Sequence, residues 1–130
     1  MEQKEKKKFA IIPRIKNSTH AWRGIGIFFK TGPNPWWLVF FGALAVYLGF
    51  VLKISSVEWV LIVLVVSLVI IAEAFNTAIE IDINLTSPEY HPYARDTKDV
   101  ASGAVLLACL CAAAVGLIIF LPKIFPLVKI

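Results

Sequence analysis

The residues of this 130-residue chain that could do chemistry begin with two carboxylates in an otherwise apolar run. Glu73 and Glu80 are seven apart, so at about 100° per residue on a helix they lie within about 20° of each other. Asn76, Thr77 and Asn84 share that broad face, while Asp82 falls on the opposite side. Carboxylates within a membrane span are costly unless they face a protein interior, pair, bind a cation or are neutral, which makes the stripe a candidate functional site. A packing role competes with this, in which Asn76 and a protonated Glu73 hydrogen-bond to neighbouring helices. Further on, Lys98 and Asp99 open the next apolar run, on the same membrane side as Glu80. Taken singly they are ordinary interfacial anchors. With the stripe they set a cation for phosphate against carboxylates for a divalent ion, the minimum equipment for phosphoryl transfer, where catalysis is mainly positioning and charge neutralisation.

Helices must hold these groups, and the apolar runs supply them. Residues 36–52 are uncharged, open on the interfacial pair Trp36 and Trp37, and at about 1.5 Å per residue just cross a thin hydrocarbon core. Residues 57–83 form a second span, Val, Leu and Ile in its first half and bearing the polar stripe in its second. The third, 98–121, is apolar from about Val100 to Leu121 and rich in Ala and Gly, with Pro122 expected to end it. Lys53, Ser55, Ser56 and Glu58 make a short polar connection between the first two. The segment LTSPEYHPYAR, Leu85 to Arg95, carries Pro88 and Pro92 and reads as a loop. Ahead of the spans, STHAWRGIGIFFK (Ser18 to Lys30) suits an amphipathic helix over 18–30 lying in the interface, a reading weakened by Gly24 and Gly26. TGPNP, Thr31 to Pro35, should then turn the chain into the bilayer. The expected fold is an all-α integral membrane protein, three transmembrane helices plus an N-terminal amphipathic surface helix. Residues 1–17 form a basic lead and 18–130 a single membrane domain.

Composition agrees. The chain is 58% hydrophobic with a mean hydropathy of +0.76, against about 45–50% apolar for soluble domains. Eight of the thirteen Lys and Arg residues precede the first span, which places the N-terminus in the cytoplasm and the protein as a multi-pass component of the cytoplasmic membrane. The loop at 85–95 is then inside and the C-terminus outside. A basic tail running into a membrane anchor suits anionic lipid headgroups better than nucleic acid, and no nucleic-acid partner is expected. The basic stretch leads into Pro13, Arg14, Lys16 and Asn17 rather than a short apolar core, so it does not read as a signal peptide. Cys109 and Cys111, two apart on a helix, point in different directions and read as small apolar filler. His20 and His91 lack a partner at metal-ligand spacing and read as surface or interface packing, with Tyr90 and Tyr93 as interfacial aromatics.

The motifs EAFNTAIE (Glu73 to Glu80), EYH (Glu89 to His91) and KDVASGAV (Lys98 to Val105), at this spacing and in a three-span layout with a surface helix, resemble the prokaryotic diacylglycerol kinase family, which includes undecaprenol kinases. The resemblance covers nearly the whole chain. It implies a homotrimeric membrane enzyme that moves the γ-phosphate of ATP, with Mg²⁺, to the hydroxyl of a membrane lipid, diacylglycerol or undecaprenol, at the cytoplasmic interface. On the matching residues it implies Glu73 as catalytic base and substrate contact, and Asn76 and Glu80 as nucleotide-site residues with Glu80 on the metal. Lys98 and Asp99 would touch the nucleotide, and Ser102 the substrate. No P-loop is present, and the family uses none.

Three positions depart from the family pattern. Gly32 stands where a surface-helix Glu usually supplies a second metal carboxylate, Asn84 where an Asp is common, and Asp96 where a basic residue often precedes the Lys-Asp pair. Asp82 projects from the wrong face to compensate, and Glu89 lies in the loop. Two other functions stay open on these residues: a catalytically weakened relative serving as a nucleotide- or lipid-binding scaffold, and a small ion-conducting oligomer with Glu73 and Glu80 as its relay. The conductor gives Lys98 and Asp99 no role.

Overall fold

The computed structural model describes residues 11–31 and 35–128, and among them the chain is helical throughout: α1 Ile11–Thr31, α2 Pro35–Val51, α3 Ser56–Thr86 and α4 Pro92–Val128. The first ten residues of the basic lead, and Gly32, lie outside the described residues. By contacts the chain divides into two units, one ending at Thr31 and one beginning at Gly32.

In the first unit, α1 starts seven residues before the amphipathic segment read from the sequence. Pro13 falls in its first turn, where a missing backbone N–H costs no helical hydrogen bond. At the other end Lys30 complements the helix dipole and Thr31 donates its hydroxyl to the Ile27 carbonyl at 2.6 Å.

In the second unit α3 packs most extensively against α4, and α2 leans on both. Pro35 opens α2 at the position where proline is already set for a helix. Lys53 closes it with a φ of 51°, and Ile54 N donates to Gly49 O at 3.1 Å while Lys53 N reaches Phe50 O at 3.4 Å. This is a Schellman ending in which a lysine takes the left-handed position usually given to glycine. Two residues later Ser55 caps α3: its Oγ accepts from Glu58 N at 3.3 Å, and Glu58 returns a carboxylate to Ser55 N at 2.7 Å. Gly49 is needed beneath this turn, because a Cβ there would sit 2.6 Å from the Trp59 ring.

The loop between α3 and α4 is shorter than the eleven residues of Leu85 to Arg95, because Pro92 does not break a helix but starts one. His91 precedes it as a cap, its Nδ1 accepting from Tyr93 N at 3.2 Å and its carbonyl from Arg95 N at 3.1 Å. The expectation that Pro122 ends the third span is also overturned: α4 runs through Pro122 and Pro126 to Val128. Helices in lipid tolerate proline where neighbouring elements hold them, and here Lys123 donates to Glu58 Oε1 at 2.9 Å, tying the far end of α4 to the start of α3. Ile54, Ile62, Ile119 and Phe120 pack together beside this pair.

No polar or charged residue is buried among the described ones, while large apolar side chains such as Phe40, Leu64 and Leu107 are exposed along α2, α3 and α4. That is the inverse of a water-soluble fold. Both α3 and α4 are long and apolar enough to cross a membrane; α2, with 17 residues and no charge, spans about 25 Å, so the chain has two or three candidate spans.

Candidate active site

Glu73, Asn76 and Glu80 all lie on α3, where a span otherwise built of apolar residues turns polar in its last third. Asn76 Nδ2 donates to Glu80 Oε1 at 3.4 Å, a long contact linking the two across one helical turn. The other end of that amide, Oδ1, is shielded and accepts no hydrogen bond within the chain. Glu73 and Asn76 are half-buried, whereas Glu80, a turn nearer the loop, is exposed. Polarity and exposure thus increase together along the stripe.

Across from it, the first turns of α4 present Arg95, Lys98, Asp99 and Ser102 on one face, by their spacing of three and four residues. Lys98 Nζ donates to Asn84 Oδ1 at 2.6 Å, the hydrogen bond that joins α3 to α4 at this end of the bundle. Since Asn84 is one turn beyond Glu80, the contact sets the ammonium of α4 over the end of the polar stripe of α3. Arg95 lies 3.7 Å from Asp99, both side chains about two-thirds exposed, and Ser102 is exposed a turn deeper.

The sequence reading singled out neither Arg95 nor the partner of Lys98. Arg95 and Asp99 stand four apart on a helix, a signal that the loop assignment of Arg95 concealed. The Asn84–Lys98 pair joins residues fourteen apart on two different helices, and nothing in local spacing announces it. His91 proves to be a helix cap, and Cys109 and Cys111 are free thiols on α4.

Among the described residues no three His, Cys, Asp or Glu side chains converge tightly enough to hold a metal alone. The oxygens present nonetheless suit Mg²⁺ carried by a nucleotide, which takes one or two carboxylates and completes its shell with phosphates and water. Glu80 supplies an exposed carboxylate, and the Asn76 amide oxygen beside it has no other partner. Deeper than Glu73, a cavity of about 310 Å³ opens between α2, α3 and α4, lined almost wholly by apolar groups including Phe41, Val66, Val69, Cys109 and Gly116.

Residues 19–120 match the prokaryotic diacylglycerol kinase family. The undecaprenol kinase of Bacillus subtilis strain 168 is 35% identical over 110 residues, covering 85% of this chain and 89% of that protein. A diacylglycerol kinase of Synechocystis is 35% identical over 109 residues, 83% of this chain but 62% of its own length. The diacylglycerol kinase of Escherichia coli K12 is 38% identical over 69 residues, 53% of this chain and 57% of that one. The family match extends over α2, α3 and most of α1 and α4, and so includes the whole polar stripe and the facing turns of α4. The chain is a multi-pass membrane protein that belongs to the prokaryotic diacylglycerol kinase family, and it is a lipid kinase with ATP as the donor that this family implies.

Proposed function

We propose that the protein transfers the γ-phosphate of ATP, in the presence of Mg²⁺, to the hydroxyl of a membrane lipid alcohol, diacylglycerol or undecaprenol, at the cytoplasmic face of the membrane. The observation that carries this reading is the Lys98–Asn84 contact, which brings the cation of α4 to the carboxylate and amide stripe of α3. In the proposed arrangement α2, α3 and α4 each cross the bilayer, the N-terminus and the α3–α4 loop are cytoplasmic, and three copies assemble. The excess of Lys and Arg before α2 supports that orientation.

Glu73, the deepest and half-buried carboxylate, takes the proton of the lipid hydroxyl as its oxygen attacks the γ-phosphorus. The bond from that phosphorus to the bridging oxygen of the β-phosphate breaks, and ADP leaves. Lys98 and Asp99 hold and orient the nucleotide, Asn76 and Glu80 border its phosphates, and Ser102 contacts the lipid headgroup. Glu80 would hold Mg²⁺ together with the nucleotide phosphates, and the ion would neutralise charge on the transferring group. The apolar cavity one turn deeper than Glu73 suits the hydrocarbon chain of such a substrate.

The direct test offers the purified protein diacylglycerol and undecaprenol in parallel in mixed micelles with labelled ATP, with and without Mg²⁺. A magnesium-dependent phospholipid product is expected, and the faster of the two reactions names the substrate. A folded preparation that phosphorylates neither lipid overturns this assignment of substrate class.

A further inference from the structure

Asn84 belongs to none of the roles assigned above, yet it makes the shortest polar contact at the loop end of the bundle. A lysine ammonium only donates hydrogen bonds, so at 2.6 Å from Lys98 Nζ the group facing it is the amide oxygen of Asn84. The two side chains come from different helices, fourteen residues apart in sequence, and they sit where α3 is about to end at Thr86 and α4 has just begun at Pro92. Lys98 is half-buried and its four-carbon stem is flexible, so without a fixed acceptor its ammonium would sample several rotamers.

We infer that Asn84 is a positioning residue for nucleotide binding: as a neutral acceptor it holds the Lys98 ammonium over the end of the acidic stripe while leaving its positive charge free for phosphate. A carboxylate, common at this place in the family, would fix the ammonium equally well but offset its charge, and in this chain Asp96 stands where the family often has a basic residue, adding to Glu80 one turn away on α3 and Asp99 next to Lys98 on α4. The amide therefore separates two functions that a carboxylate would set against each other, orientation and charge. The inference rests on the lipid-kinase reading of Lys98, and the experiment separates the two.

The full-length protein in detergent micelles is titrated with fluorescent trinitrophenyl-ATP in the presence of Mg²⁺, so that binding is read without turnover. Asn84→Ala should bind about tenfold more weakly, the scale of losing a hydrogen bond to a charged group. Lys98→Met should lose at least as much, and the double variant should be no weaker than Lys98→Met alone, because Asn84 acts through Lys98. Asn84→Asp, which keeps an acceptor in reach and guards against a folding defect, should bind more weakly than the parent at low salt and converge on it as salt rises. Parent-like binding by Asn84→Ala, or losses that multiply in the double variant, would overturn the positioning role. Parent-like binding by Asn84→Asp at every salt concentration would overturn the role of the neutral amide. If Lys98→Met itself binds like the parent, the assignment of Lys98 fails and takes this inference with it; a weakened Lys98→Met beside a normal Asn84→Ala leaves that assignment standing.

Discussion

At the scale of single residues, the proposed site divides labour between carboxylates of different depth. Glu73→Gln keeps size and hydrogen bonding but cannot take a proton, so kcat should fall by about 10²–10⁴ while nucleotide binding stays within about twofold. Glu80→Gln should instead raise the Mg²⁺ concentration needed for half-maximal rate. If the two variants fail alike in a magnesium titration, the roles proposed for them are wrong. Asn76 offers a sharper contrast, since its shielded Oδ1 has no partner within the chain and an unsatisfied buried acceptor costs about 1–3 kcal/mol. Asn76→Leu should therefore raise the thermal midpoint in micelles and abolish phosphate transfer, a trade expected of a residue kept for function. The stripe was legible in the sequence because helical periodicity alone places Glu73, Asn76 and Glu80 together. The partner of Lys98 was not, because that contact is tertiary and Asn84 looked like a loss of charge rather than a substitute acceptor.

Among the elements, the α2–α3 turn shows local chemistry and packing acting together. Lys53 adopts a left-handed conformation that costs a residue with a Cβ about 1–2 kcal/mol, and no Cβ is needed there. Lys53→Gly should stabilise the protein by about 1 kcal/mol, measured by reversible unfolding in detergent, without changing the rate of phosphate transfer. Gly49→Leu should do the opposite, since even a Cβ at that position meets the Trp59 ring at 2.6 Å, and overpacking of this kind costs about 1–3 kcal/mol or more. The helices themselves were legible from their apolar runs, and the break after Thr31 from its prolines and glycine. Their ends were less so, for one physical reason: proline reads as a loop residue at Pro92 and as a terminator at Pro122, whereas in the first turn it starts a helix and in lipid it is carried through one.

The molecule as a whole exposes apolar surface along every helix of its second unit, which asks for lipid, other copies of the chain, or both. Chemical cross-linking in micelles should stop at three copies if the proposed assembly is right, and a ladder ending at two would replace it. The α3–α4 hairpin is pinned at both ends, by Asn84 with Lys98 at one and by Glu58 with Lys123 at the other. Between those pins each helix advances about 38 Å, longer than the hydrocarbon core of about 30 Å and close to the thickness that includes the headgroups. Two helices fastened at both ends cannot slide past one another to suit a thicker or thinner bilayer, so any mismatch must be met by tilting the pair or by deforming the surrounding lipid. The hairpin thereby works as a gauge: it fixes the depth of Glu73 relative to its pins, and if Glu73 is the base proposed above, host membranes of differing acyl length should bring the substrate hydroxyl level with that carboxylate at one thickness and miss it on either side.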